Sequence, residues 1–333
     1  MSTPSTASTD PVAPTASVAT GPAAGTVVDA RPSKPAAGRS HRRPGHSALS
    51  ARRRRRPRVA FVLAGGASRG ALQVSMLRAL FEPGIRPDLL VGTSAGALNA
   101  AYFASRSPSV QTVQALGRVW CSLHRQDVFP IHPPTLIGGL GKQRDHIVPD
   151  RPLRRLIGRH LELERLEDAA IPVRVVAFDL LSGQEVRLSH GPALEAVLAA
   201  ATIPGVLPPV RWDEHLLVDG GVVNNTPISH AVELGAERVY VLPTCDPTDL
   251  GRPLARQGAL DAGIQALTLL VGSRLPAGLE RYAAAAELIV LPAAGAEQVQ
   301  STDFDHAHRL IASAHSAARA ALTNPGAPLA SAA

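Results

Sequence analysis

Aromatic side chains make up only 3% of this 333-residue chain, so its interior must be filled mainly by Ala, Leu and Val, and the 45% hydrophobic content supplies them. Cysteine occurs twice, at Cys121 and Cys245, too few for a disulfide framework or a four-thiolate zinc site. No uninterrupted apolar run reaches the roughly 18 residues of a membrane-spanning helix. The opening Met1-Ser2-Thr3-Pro4 lacks the basic and apolar regions of a secretory signal. Coiled-coil and collagen repeats are missing as well. Together these absences point to a reduced cytoplasmic setting, with membrane contact at most peripheral.

Charge is present but unevenly placed. Of the formal net charge of +7, residues 1–56 hold ten basic side chains against Asp10 and Asp29, and the rest of the chain carries 24 basic and 25 acidic residues. The basicity therefore belongs to a tail, and the folded part is close to neutral. Residues 1–57 are rich in Pro, Ala and Ser with almost no large apolar side chains, a composition that cannot offset its ordering entropy, so disorder is expected there. Residues 324–333 are expected to be a second disordered tail. The run Arg52 to Arg56 has three open readings: a solubilising arm, a peripheral tether to anionic membrane worth roughly 1 kcal/mol per basic residue, or non-specific nucleic-acid contact. No specific nucleic-acid partner is expected.

From Arg58 onward the pattern changes. Val59 to Leu63 is an apolar run of buried-strand length followed by Gly65-Gly66, and Leu72, Met76, Leu77 and Leu80 then recur with helical spacing. Leu89-Leu90-Val91 reads as a second buried strand and leads into Gly92-Thr93-Ser94-Ala95-Gly96 and an Ala-rich helix. Further strands are predicted at 173–178, 185–188, 216–218, 238–242 and 288–291, with helices at 193–201, 228–234 and 304–322. Residues 127–150 show no periodicity and read as a long loop or cap. Strand and helix alternating in this way predict an α/β domain over residues 58–323 with a mostly parallel sheet.

Three glycine-rich segments carry the candidate chemistry. In Gly92-Thr93-Ser94-Ala95-Gly96, a serine on a tight strand-to-helix turn would be lifted clear of the sheet at a helix N-terminus, where developing negative charge is favoured. Gly65-Gly66-Ala67-Ser68-Arg69-Gly70 follows the first strand. It lacks the third-position glycine and the later acidic residue of a dinucleotide loop, and its backbone N–H groups suit an oxyanion hole better than a phosphate. Asp219-Gly220-Gly221 puts a carboxylate at the end of a strand, the edge of the sheet where α/β proteins place their sites; the competing reading is a turn aspartate.

Taken in order, these segments resemble the patatin-like phospholipases. Ala201-Thr202-Ile203-Pro204-Gly205-Val206-Leu207-Pro208-Pro209-Val210 is similar to the segment that precedes the aspartate in that family, and Val222 to Ile228 is similar to the stretch after it. The likeness is strongest over residues 59–245. It implies a three-layer α/β/α fold and a serine acyl hydrolase acting on carboxylic esters of lipids through a Ser–Asp dyad and an acyl-enzyme, with no cofactor and no metal. Ser94 would be the nucleophile and Asp219 the base. Gly65, Gly66 and Ala67 would form the oxyanion hole, with Arg69, Gly70, Gly92, Gly96, Gly220 and Gly221 supporting the motifs. Two positions depart from the family pattern: Ala67 stands for a glycine, and Leu207 for a phenylalanine. Alanine resists positive φ, so Ala67 would shift one oxyanion donor.

Two alternatives remain. His306, His308 and His315 come after Asp219, giving the Ser, Asp, His chain order of α/β-hydrolases, although too few strands precede Ser94 for that fold. A non-enzymatic protein that binds through its arginine tail, with an inactive hydrolase domain, is the other. A carrier-type acyltransferase would have histidine where Thr93 stands. Metal catalysis has no H-E-x-x-H motif to support it, and His124 and His132 lack paired ligands. Trp120 and Trp212 read as core or interface residues.

Overall fold

The computed structural model describes residues 28–30, 56, 58–130, 133–140, 144–246, 259–296 and 299–323. The expectations for residues 1–27, 31–55, 57 and 324–333, and so for all of the arginine run except Arg56, lie outside them. Arg56 itself forms an ion pair with Asp88.

The elements in chain order are β1 (Val28–Ala30), β2 (Val59–Leu63), a 3-10 turn (Ala67–Ala71), α1 (Leu72–Phe81), β3 (Leu89–Thr93), α2 (Ala95–Ala104), α3 (Val110–Ser122), α4 (Arg125–Val128), α5 (Pro133–Leu140) and α6 (Arg151–His160). After a second 3-10 turn (Leu166–Asp168) come β4 (Val173–Asp179), β5 (Gln184–Leu188), α7 (Ala193–Ala199), β6 (Val210–Trp212), β7 (His215–Asp219), α8 (Gly221–Asn224) and α9 (Ile228–Glu233). The domain is completed by β8 (Arg238–Leu242), α10 (Ala259–Gly272), α11 (Leu275–Tyr282), β9 (Glu287–Val290) and α12 (Ala307–Thr323).

The sheet runs β1-β5-β4-β3-β2-β8-β9, with β7 paired to β4 and β6 to β7. Its centre, β4-β3-β2-β8-β9, is parallel throughout, and the antiparallel pairings are confined to β4–β5, β4–β7 and β6–β7. Helices cover both faces, so the central strand β2 is buried and apolar at every position and not merely at alternate ones. In β2 the two sets separate cleanly. Phe61 and Leu63 pack with α1, α2 and α12 in the larger core, and Ala60 and Val62 pack with α9 and α11 in the smaller one. The scarce aromatics gather in the larger core, where Phe61 meets Phe81 and Tyr240 edge-on and Phe81 stacks on Phe103.

Two expectations are corrected. Val28–Ala30, inside the segment expected to be disordered, forms β1 and pairs in parallel with Val186–Leu188 of β5; a β-branched residue against an open sheet edge gains backbone hydrogen bonds that composition alone does not reveal. Residues 127–150 were expected as loop or cap, yet Pro133–Leu140 is helical. The prolines at its first two positions open a helix readily because their missing N–H groups would be unpaired there anyway.

One feature of the sheet sets up the site. β4 is flanked by β3 along its first half and by β7 along its second, with β7 running in the opposite direction. The last pair of the first ladder is Thr93 with Val176, and the end of the second is Asp219 with Ala177. Two strands distant in sequence therefore end against adjacent residues of β4, and this brings the turn after Thr93 to the end of β7.

Candidate active site

Ser94 occupies the turn between β3 and α2 with φ 54° and ψ −126°. A non-glycine residue at positive φ costs about 1–3 kcal/mol. A serine at a helix N-cap ordinarily accepts a hydrogen bond from the first turn, but the Ser94 side chain makes no such cap. The strained backbone turns the hydroxyl away from its own helix and towards Asp219, to which it donates. The tight turn also depends on Gly96, where a Cβ would lie 2.1 Å from the Leu63 carbonyl oxygen. Gly70, Gly92 and Gly220 are close approaches of the same kind, against Trp120, Gly96 and Val176.

Asp219 is buried at the end of β7, and Gly221 donates its N–H to Oδ1 at 2.8 Å. Burial raises the carboxyl to about pKa 6, while the hydrogen bonds from Ser94 and Gly221 pull in the other direction and limit the rise. The segment 200–202 fixes the backbone of both residues: Ser94 N–H reaches the Ala200 carbonyl and Asp219 N–H reaches the Thr202 carbonyl, each at 2.9 Å. Holding Asp219 through Thr202 is thus one physical role of the block running from Ala201 to Val210.

Gly65, Gly66 and Ala67 line the same pocket as Ser94 and Asp219. They are not equivalent. Gly65 spends its N–H on the Asn225 carbonyl at 3.1 Å, so it is not a free donor as expected. Its own carbonyl accepts from the Asn225 amide at 3.2 Å and from the Thr244 hydroxyl. Two donors on that oxygen fix the plane of the Gly65–Gly66 peptide, and so fix the Gly66 N–H on its opposite side. Thr244 sits so close that a Cβ on Gly66 would lie 2.3 Å from its hydroxyl oxygen. Among the described residues, the N–H groups of Gly66 and Ala67 have no partner. Ala67 adopts φ 49° despite its methyl group, so the loop keeps the left-handed turn and bears the strain.

Arg69 is buried and structural. Its Nε donates to the Val299 carbonyl at 2.9 Å, and Ser68 bonds Ser301 and Gln300, which straps the loop to residues 299–301. Beneath the loop, Gln73 donates to the Ala64 and Leu242 carbonyls, Asn99 to the Gly70 carbonyl and Gln73, and Trp120 to Asn99. Asn225, Thr244, Gln73 and Asn99 were not singled out in the sequence. Thr244 lies just past β8, beside β2, at the carboxyl ends of the parallel strands, a position that could have flagged it.

From Ser94 an apolar cavity runs alongside α2, walled by Leu98 and Tyr102 of that helix, by Leu116 and Trp120 of α3, and by Leu153 and Ile157 of α6. His160 also lines it. Burial, with Arg159 and Arg106 nearby, lowers the pKa of that histidine. The late histidines are engaged elsewhere: His306 with Asp303 at 2.6 Å, His315 with Glu82 at 3.3 Å, and His308 stacked on His306. The hydrogen-bond partners of the Asp219 carboxylate are Ser94 and Gly221, with no histidine among the described residues. Nor do the described residues contain a group of three or more His, Cys, Asp or Glu side chains placed to hold a metal ion.

A mostly parallel three-layer α/β/α sheet, a strained serine at a strand-to-helix turn and a buried aspartate facing it define one class of fold and site. The patatin family model, described as patatin-like phospholipase, matches residues 61–232, and the chain belongs to that family. It is 31% identical over 200 residues to patatin-like phospholipase domain-containing protein 6 of Homo sapiens, and 31% identical over 200 residues to an uncharacterized NTE family protein of Mycobacterium tuberculosis. Each likeness covers 58% of this chain; it spans 14% of the human protein and 51% of the mycobacterial one. Among solved structures, VipD from Legionella pneumophila matches 77% of this chain and 67% of its own at 13% identity, with a TM-score of 0.39. No helix among the described residues is long and apolar enough to cross a membrane.

Proposed function

We propose that the protein is a serine acyl hydrolase that cleaves carboxylic esters of lipids through Ser94 and Asp219. The observation that carries this reading is the strained, uncapped Ser94 donating to a buried carboxylate at the head of an apolar cavity. Ser94 Oγ attacks the ester carbonyl carbon while its proton passes to Asp219. The carbonyl oxygen becomes an oxyanion and accepts hydrogen bonds from the Gly66 and Ala67 N–H groups, donors of a kind typically worth about 10²–10³-fold in rate each. Collapse expels the alcohol, which takes the proton from Asp219 and leaves Ser94 acylated. Water then attacks the acyl-enzyme, gives a proton to Asp219, and the acid departs as Ser94 regains its hydrogen.

A carboxylate is a weaker base than imidazole, and burial offsets this by bringing Asp219 close to neutral pH. The apolar cavity suits the acyl chain, because its walls offer hydrocarbon contact where water would find few partners. Intact-mass labelling with a fluorophosphonate tests the reading directly. One adduct is expected on the parent and none on Ser94→Ala. Absence of an adduct on well-folded parent protein, or an adduct that persists in Ser94→Ala, would overturn it.

A further inference from the structure

The helix that walls the apolar cavity has a second face. Leu153 and Ile157 of α6 point inward and are buried, while Arg151, Arg155 and Arg159, spaced four residues apart, form one exposed stripe. The stripe borders a broad groove that Arg144, Arg154 and Arg211 also line. Arg154 is already committed to Glu195 and Asp150. Among the described residues, the side chains of Arg144, Arg151, Arg155, Arg159 and Arg211 have neither an ion pair nor a hydrogen bond, although arginines as exposed as Arg78, Arg165 and Arg238 elsewhere are paired with carboxylates. Five unpaired cations on one surface repel one another, and a fold gains nothing from that arrangement by itself.

An apolar neighbour gives the patch its meaning. Thr135 of α5 lines the same groove, which sets this helix beside the arginines, and on a different face of α5 Ile137 is 70% exposed, the most exposed large hydrophobic side chain among the described residues. The sequence of α5, Pro-Pro-Thr-Leu-Ile-Gly-Gly-Leu, carries no charge. An uncharged apolar segment beside a field of arginines is the composition that binds the interface of an anionic bilayer, where the first enters the acyl boundary and the second meets phosphates. Nucleic acid would use the cations and leave Ile137 in water.

We propose that the surface formed by α5 and the arginine stripe of α6, with Arg144 and Arg211, docks the protein on membranes that contain anionic phospholipid. Headgroup phosphates meet one face of α6, and the cavity that opens at Ser94 lies behind its other face, about one helix diameter or 10 Å away. Docking is separate from catalysis and holds whatever chemistry Ser94 performs.

The test uses the full chain carrying Ser94→Ala, so that no lipid is consumed, and measures co-sedimentation with vesicles of phosphatidylserine and phosphatidylcholine. Binding is expected to the mixed vesicles, to be far weaker on phosphatidylcholine alone, and to fall with added salt. Arg151→Gln/Arg155→Gln/Arg159→Gln should lower partitioning on the order of 100-fold, and Ile137→Ser should lower it severalfold without changing the salt slope. If the triple variant does not fold, Arg144→Gln/Arg211→Gln, which lies off the helix, should give a loss of about 30-fold. Undiminished partitioning of a folded arginine variant would overturn the proposal and assign binding to Arg52–Arg56 or elsewhere. An oligonucleotide that displaces the vesicles and loses its own binding in the triple variant would overturn it in favour of a nucleic-acid surface.

Discussion

Titrating Asp219 probes the site from two sides, because the same proton controls reactivity and stability. The group sits at about pKa 6 in the folded protein, against about 3.9 in an unfolded chain. As the base for Ser94 it must be ionised, so kcat/KM for a soluble ester should climb through pH 6 and drop to about a tenth of its plateau by pH 5. The stability consequence has the opposite sign. Between pH 4 and 6 the folded state holds a proton that the unfolded state has lost, so the contribution is complete below pH 4 and is lost as pH rises through 6. Two pK units correspond to about 3 kcal/mol. Asp219→Asn removes the ionisation while its amide oxygen still accepts from Gly221 and Ser94. That variant should therefore be inactive and yet melt roughly 5–10 °C higher than the parent at pH 7, and the gap should close at pH 4. Calorimetry of the two proteins across pH 4–8 makes the measurement. Parallel melting curves over that range, or activity in Asp219→Asn near that of the parent, would refute the reasoning.

The packing dictates three further outcomes. Ser94→Ala should abolish ester hydrolysis and leave urea unfolding within about 1 kcal/mol of the parent, since the change deletes one hydroxyl and no apolar contact. Gly66→Ala puts a methyl 2.3 Å from the Thr244 hydroxyl oxygen; the loop must shift, and steady-state assays should show kcat down by about 10²-fold or more with KM much less affected. Phe61→Ala empties the centre of the larger core, where the ring is fully buried, and denaturant titration should record a loss of about 3–5 kcal/mol.

Much of this architecture was readable in the chain. Val59–Leu63 and Leu89–Thr93 are apolar at nearly every position because both faces of the sheet are covered, and the glycines after each strand mark turns too tight for a Cβ. Ser94 and Asp219 were legible as motifs because their chemistry requires small neighbours. Their meeting was not legible: it depends on β3 and β7 ending against adjacent residues of β4, a matter of register that no local pattern records. For the same reason Asn225 and Thr244, ordinary polar residues in sequence, become holders of the Gly65 carbonyl only when distant segments close on it. Gly65 was misread as a donor because a glycine loop shows which N–H groups exist, not which are already used. The arginines of α6 were hidden in a sum. A charge of −1 over the folded part says nothing about five unpaired cations on one surface.

The meeting of β3 and β7 on β4 also governs timing. Serine and aspartate are brought together by contacts between residues far apart in the chain, and such pairings close late because loop entropy is spent before they return any stabilisation. The β3–β4 ladder spans more of the chain than the β4–β7 ladder, neither is local, and on the proposed reading the serine has its base only when both have formed. On that reading, turnover reports only molecules in which both ladders on β4 are complete.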